Sequence, residues 1–202
     1  VPTSPRQGAP TEKRARVQRD VLQAAEELLG DGASYAELNV EQIANRAGIS
    51  RTAFYFYFGD KREVLMRLAE GVIEELYEQA DIWYSGSDAE PDIRRALARI
   101  GDTYSEHGPL LKAVIELSTY DEEIGAFWRN LIGRFAEATQ RQIEAEQSRG
   151  GTNDLPPRAT ALALTWMGER TFYQHLLAGH PGDLQDVVDA LTCIYLRTIY
   201  GR

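Results

Sequence analysis

From position 48 to 61 the chain reads Gly48-Ile49-Ser50-Arg51-Thr52-Ala53-Phe54-Tyr55-Phe56-Tyr57-Phe58-Gly59-Asp60-Lys61. Arg51, Thr52 and Tyr55 carry hydrogen-bonding groups on one side of a short helix. Phe54 and Phe58 stand one turn apart and face a core together on another side. A guanidinium fork and two hydroxyls beside a rigid apolar anchor suit the phosphates and base edges of a nucleic-acid groove. A purely structural helix has no use for that outward set. Ser50, Tyr57 and Lys61 extend it.

These side chains need elements to hold them. Gly48 suits a tight turn, because glycine enters left-handed backbone conformations cheaply. Ser50 is a natural N-cap for the helix that follows. Upstream, Asn39 is a second cap, and Gln42 stands three residues on, where a capping box wants Glu or Gln. The helix it opens would turn its first amides toward phosphate. Ile43, Ala44 and Ala47 give it a narrow apolar face that a second helix can cross closely. Helix, glycine turn, helix is the helix-turn-helix arrangement. Before it, Val17, Val21, Ala24, Ala25 and Leu28 predict one face of an earlier helix, ended by Gly30 and Gly32.

The segment from about Thr11 to Leu68 resembles the DNA-binding domain of TetR-type transcriptional regulators. The resemblance rests on Gly48-Ile49-Ser50, on Phe54-Tyr55-Phe56-Tyr57-Phe58, and on Lys61 opening the next helix. Tyr57 stands where the family usually has histidine. The aromatic run is most similar to the branch of the mycobacterial repressor of ethionamide activation. Ile143-Glu144-Ala145-Glu146, Glu169-Arg170-Thr171 and Ile199-Tyr200-Gly201 add short C-terminal matches to that branch. The resemblance implies an all-α fold with operator contacts from Asn39, Ser50, Arg51, Thr52, Tyr55, Tyr57 and Lys61. It also implies a helical body that encloses a small apolar effector and pairs with a second copy.

Composition sets further bounds. A single cysteine, Cys193, among 202 residues excludes an internal disulfide framework and a cysteine-based zinc cluster. It agrees with a cytoplasmic protein, as does the lack of a signal-peptide pattern at the N-terminus given. The apolar-leaning stretch from Ala159 to Met167 is too short to span a bilayer. The net charge of −9 is unevenly spread. Up to Arg67, ten Lys/Arg stand against nine Asp/Glu, leaving 12 basic and 22 acidic residues beyond it. An acidic body would keep DNA docked at one end only. It also serves solubility.

Periodicity divides the chain into about nine helices. Residues 1–10 are expected to be a disordered arm, 11–67 the helix-turn-helix domain and 68–202 the effector and dimerisation domain. A long helix runs from Lys61 to about Tyr84. Ser85-Gly86-Ser87-Asp88 breaks it, His107-Gly108-Pro109 makes a second break, and Gly150 to Pro157 is the clearest loop. The last two helices cover about Pro157–Ala178 and Asp183–Tyr200.

Aromatic residues concentrate in the body: Tyr104, Phe127, Trp128, Phe135, Trp166, Phe172, Tyr173 and Tyr195. They either fill a packed core or line a hollow. The family resemblance favours the hollow, with Leu97, Ile100, Tyr104, Trp128, Ile132, Phe135, Thr165, Trp166, Glu169, Phe172 and Tyr195 as its walls. Thr165 and Glu169, four apart, are its candidate polar groups. Glu169 has a second reading as half of a salt bridge with Arg170 or Arg134. The last two helices carry more apolar residues than one face needs, among them Leu162, Leu164, Trp166, Met167, Val187, Val188, Leu191, Ile194, Leu196 and Ile199. A helix that is apolar on more than one side is buried on more than one side. A two-fold dimer through these helices would present two recognition helices to a near-palindromic operator.

Two other classes compete. None of His107, His175 and His180 lies three residues after a glutamate, and no glycine-rich phosphate loop precedes a helix. No catalytic residue, metal site or cofactor is therefore assigned. A protein-interaction adaptor would not need Arg51, Thr52, Tyr55 and Lys61 facing outward together. The expectation is a DNA-binding regulator, acting as a repressor and released from its operator by an apolar ligand.

Overall fold

The computed structural model describes residues 12–150, 155–179 and 182–201. The expected arm 1–10 and His180 lie outside them. The chain divides into two compact units, Val1–Leu68 and Ala69–Arg202. Among the described residues there are nine α-helices and no strand.

The first unit holds α1 (Glu12–Gly30), α2 (Val40–Arg46), α3 (Arg51–Tyr57) and the start of α4 (Lys61–Tyr84). Val21, Ala24, Ala25 and Leu29 form the buried face of α1. Leu29 therefore takes the place expected for Leu28, which is half-buried. Arg46 joins α2 to the end of α1, 2.9 Å from Asp31 and 3.4 Å from Glu27. Asn39 and Gln42 form a full capping box at α2. Gly48 takes φ +68°, which a side chain would strain. Ser50 caps α3, its Oγ accepting from the Ala53 amide at 3.1 Å.

Asp60 caps α4 by accepting from the amides of Arg62 and Glu63 at 2.8 and 3.0 Å, and Glu63 reaches back to the Gly59 amide at 2.7 Å. Lys61 does something different from what its position in the sequence suggested. Its Nζ donates to the carbonyls of Tyr35 and Leu38 at 2.9 and 2.7 Å, and lies 4.4 Å from the centre of the Tyr35 ring. Burial lowers its pKa. The ammonium thus locks the α1–α2 loop to the start of α4.

The second unit contains the rest of α4 together with α5 (Ala89–Glu106), α6 (Gly108–Leu117), α7 (Glu122–Ser148), α8 (Pro157–Phe172) and α9 (Leu184–Tyr195). α8 and α9 each close with a wider π-helical turn, Tyr173–Leu177 and Leu196–Tyr200, that helical periodicity did not foretell. The break at His107-Gly108-Pro109 is tighter than expected, since His107 alone separates α5 from α6. Asp121 caps α7 through the amides of Glu123 and Ile124. α7 packs along α8, and α5 along α9. The latter approach is close: a Cβ on Gly101 would come within 2.8 Å of the Leu184 side chain.

Lys61→Met keeps most of the aliphatic stem and removes the donors. Two carbonyls then lose charged partners, and unfolding in urea should show a loss of about 2–4 kcal/mol. An unchanged midpoint and slope would show that this loop is held by something else.

Candidate functional site

Two sites emerge, one in each unit. In the first, α3 is fixed from below and open above. Phe54 and Phe58 are fully buried with ring centres 5.6 Å apart. Arg51 and Thr52 are exposed, Tyr55 is 49% exposed and Phe56 70%. The Arg51 guanidinium lies 6.0 Å from the centre of the Tyr55 ring, so the two share one patch. Arg14 from α1 lies 5.8 Å from the Phe56 ring and adds a cation to the same surface. Tyr57 is half-buried, its ring edge-on to Phe56.

Neither Phe56 nor Arg14 is among the operator contacts expected from the sequence. Phe56 is two positions from both Phe54 and Phe58, hence about 200° round the helix, which was signal enough. One expected contact changes character, and one stands as a cap. The Asn39 side chain accepts from the Gln42 amide at 3.0 Å, as the capping-box spacing predicts. Exposed Glu41 beside it sets a like charge near any phosphate approaching those amides. Lys61 is engaged inward, as described above, with its charge spent on two carbonyls.

The second site is a cavity of about 90 Å³ inside the helical body. Leu97, Ile100 and Tyr104 from α5, Trp128, Ile132 and Phe135 from α7, Thr165, Glu169 and Phe172 from α8, and Tyr195 from α9 all line it. Trp166 does not; it is half-buried, one residue and so about 100° away from Thr165 round α8. α4 supplies a wall that went unforeseen: Leu76, Ala80, Trp83 and Tyr84. Trp83 donates to the Tyr200 hydroxyl at 2.9 Å, and the Tyr84 hydroxyl donates to the Phe135 carbonyl at 3.3 Å. Gly168 leaves room for the Tyr195 hydroxyl, which would lie 3.3 Å from a Cβ there and which donates to the Leu164 carbonyl at 3.1 Å.

The lining is almost wholly apolar, and its exceptions are unusual. Among the described residues, Trp128 Nε1, Thr165 Oγ1 and both carboxylate oxygens of Glu169 are buried without a hydrogen-bond partner. Native proteins seldom leave such groups unmatched. The Glu169 side chain is 3% exposed, with Arg170 Nε at 3.5 Å from Oε2. That is an ion-pair distance without hydrogen-bond geometry, and it leaves Oε1 without a donor. Arg134, the other candidate partner, instead binds Glu74 at 2.6 Å. Burial raises the pKa of Glu169, with Arg170 opposing. The Tyr104 hydroxyl is also pushed up, first by burial and then by Glu169.

A third feature is a surface. Leu162 is 47% exposed and Ile194 39%, and Ala159, Ala163 and Ala190 are exposed nearby on the same two helices. Leu164, Val188, Leu191, Leu196 and Ile199 are buried within the unit itself. The excess apolar residues thus divide between an inner and an outer face. Elsewhere, ligand atoms of Glu75, Glu106 and His107 come within 4.8 Å of one another. Glu75 there accepts from Thr103 at 3.0 Å and lies 3.6 Å from His107, an arrangement that ordinary polar pairing accounts for.

The raised pKa of Glu169 carries a stability consequence. A carboxyl whose folded pKa lies above its unfolded value supports the fold fully below the unfolded value, and that support is lost as pH rises through the folded one. Arg170 opposes that shift, and Glu169 in turn adds to burial in raising the hydroxyls of Tyr104 and Tyr173. Glu169→Gln should therefore raise the melting temperature at pH 8, and its advantage should shrink toward pH 4. A variant that is less stable than the parent at pH 8 would contradict this.

Comparison with known proteins follows the same division. Residues 21–68 match the family model of bacterial regulatory proteins of the tetR family, and residues 93–201 match the C-terminal domain of the transcriptional regulator EthR. The HTH-type transcriptional regulator EthR of Mycolicibacterium smegmatis is 34% identical over 185 residues, covering 90% of this chain and 85% of that one. Its counterpart from Mycobacterium tuberculosis is 30% identical over 191 residues, with 90% and 86% covered. A crystal structure of a TetR-family regulator from Syntrophomonas wolfei superposes with a TM-score of 0.74 at 15% identity, covering 92% of this chain and 95% of that one. Among the described residues, no helix is long and apolar enough to cross a membrane. With an exposed recognition helix in one unit, an apolar cavity in the other and these matches across both, the chain belongs to the TetR family of bacterial transcriptional regulators and carries a C-terminal domain of the EthR type.

Proposed function

We propose that this protein is a repressor that acts in the cytoplasm, binds a near-palindromic operator as a homodimer and leaves it when a small apolar effector enters the cavity. The observation that carries the reading is the outer face of α3. Arg51, Thr52, Tyr55 and Phe56 project from a helix whose other side is locked into a core. Arg51 reads a base edge, Thr52 and the Ser50 hydroxyl bind phosphate, and Tyr55 and Tyr57 flank the backbone. Phe56 offers an apolar edge of the kind that meets a thymine methyl group. Lys61 supports this face from within, and Asn39 caps the helix that precedes it.

The effector step uses α4, whose residues Lys61–Tyr84 begin in the first unit and continue into the second without a break. Leu76, Ala80, Trp83 and Tyr84 of that helix line the cavity. The free volume of about 90 Å³ holds only a compact group, and typical ligand pockets run to about 300–1,000 Å³. A longer effector must displace side chains on α4, α5 or α7, and displacement on α4 is displacement of the recognition unit's last helix. The ligand needs higher affinity for the DNA-incompetent state, since otherwise no equilibrium moves.

Arg51→Ala tests the operator reading. A bidentate base contact contributes about 1–3 kcal/mol of discrimination, so cognate binding should fall well below its parent value while binding to random DNA changes little. An equal loss on both would reduce Arg51 to a phosphate contact.

Leu162→Asp tests assembly, because Leu162 lies on the outer apolar face and Val188, by contrast, is only 1% exposed within the protomer. A charge left unpaired in a closed apolar interface costs several kcal/mol, of the order of 3–5. Sedimentation should then show folded monomer. A folded dimer carrying this substitution would place the interface elsewhere.

A further inference from the structure

We propose that the cavity selects an organic ammonium ion with an apolar substituent, bound with its nitrogen against Glu169. This rests on the cavity being the effector site and adds the chemical class of the effector.

A hydrocarbon filling the cavity would seal Glu169 from water permanently. Both carboxylate oxygens are already buried and accept no hydrogen bond among the described residues. Burying a carboxylate without donors is costly, and a matching cation removes that cost. Arg170 does not fill this role. Its guanidinium is half-exposed and stacks 4.8 Å over the Tyr173 ring, with only Nε turned toward Oε2. Its charge is shared with solvent, Oε1 keeps no donor, and Glu169 lines the cavity.

The walls suit a cation as well as a hydrocarbon. Tyr104 and Phe172 stand with ring centres 5.5 Å apart, and Trp128 lines the same space. Aromatic faces attract organic cations through their quadrupoles, most strongly where water is excluded. The same rings accept an alkyl substituent. Trp128 Nε1 and Thr165 Oγ1, also unpartnered, remain for a polar atom elsewhere on the ligand.

The neighbouring surface has the matching sign. Trp83 and Tyr84 also border a polar recess of about 240 Å³. Asp88, Asp92 and Glu146 line that recess with Arg149, which pairs with Glu146, and Arg95 lies 3.9 Å from Asp92, so acid still outnumbers base. A negative recess raises the local concentration of cations at the wall it shares with the cavity. An anionic amphiphile would meet this recess and then Glu169, and both would repel it.

The test compares three ligands of one chain length: hexylammonium, hexanol and hexanoate. Binding is measured by calorimetry at pH 7 on the full-length protein and on Glu169→Gln, with operator affinity followed in parallel. Hexylammonium should bind the parent about tenfold more tightly than hexanol, and hexanoate more weakly than either. Glu169→Gln should abolish the advantage of the ammonium and leave hexanol within about twofold of its parent value. The ligand series on the parent protein stands even if the variant folds poorly. Should hexanol bind as well as hexylammonium and still release the operator, the effector site is upheld and the preference for a cation is overturned. Should hexylammonium bind equally to Glu169→Gln, Glu169 is not its partner and the inference fails. Should none of the three bind, both the inference and the effector site fall together.

Discussion

A seven-residue helix does not hold itself together in water. Nucleation costs more than two turns of hydrogen bonds return, and isolated helices need roughly 12–15 residues to be even marginal. α3 is seven residues long. Everything around it exists to supply the missing stability from outside. Ser50 satisfies one of its free amides, Gly48 makes the turn that sets its direction, and Phe54 and Phe58 pin it to the core. Lys61 then closes the loop behind it through Tyr35 and Leu38. This division leaves the outer residues free of any structural duty. A helix anchored wholly by one face can present four side chains to a groove without weakening its own fold.

The body resolves the same tension in the opposite direction. Close packing normally removes holes, because each lost contact forfeits dispersion energy. Here large aromatic residues meet from α4, α5, α7, α8 and α9 and still leave a hollow. The hollow persists because its neighbours are tied by polar bonds that a collapse would break. Tyr84 is held to Phe135 and Thr139, Trp83 to Tyr200, and Tyr195 to Leu164. Gly168 leaves room for the Tyr195 hydroxyl to reach across α8. Within that fixed shell, Glu169 is the one carboxylate among the lining residues.

Much of this was legible in the sequence, for a physical reason. Caps, turn glycines and paired aromatics act locally, so Asn39, Gln42, Gly48, Ser50, Phe54 and Phe58 could be read from spacing alone. The apolar faces of α5, α7 and α8 follow helical periods, but only the family resemblance pointed to a hollow between them rather than a packed core. What escaped depends on partners far along the chain. Nothing near Lys61 says that its ammonium meets the carbonyl of Tyr35, 26 positions away. Trp166 and Thr165 are adjacent in sequence, and only the packing of α7 decides which of them faces inward. The π-helical turns that close α8 and α9 have no evident local signature. Val188 and Leu162 were both simply apolar until the protomer core claimed the first and left the second outside.

Charge distribution ties the two units to one physical design. The first 67 residues are nearly balanced, and the excess of acid lies beyond them. For DNA this asymmetry acts as an orienting field. A polyanion is repelled by the body and tolerated at the first unit, where Arg14 and Arg51 stand beside exposed aromatic rings. For the ammonium ligand proposed above the same field would act in reverse, because acidic surface near the cavity concentrates cations and excludes anions. One distribution of charge would then sort both partners by sign. Salt will weaken both effects where the charges are exposed, since the Debye length is only about 8 Å at physiological ionic strength. It will weaken them least at Glu169, whose 3% exposed side chain lies where mobile ions do not reach.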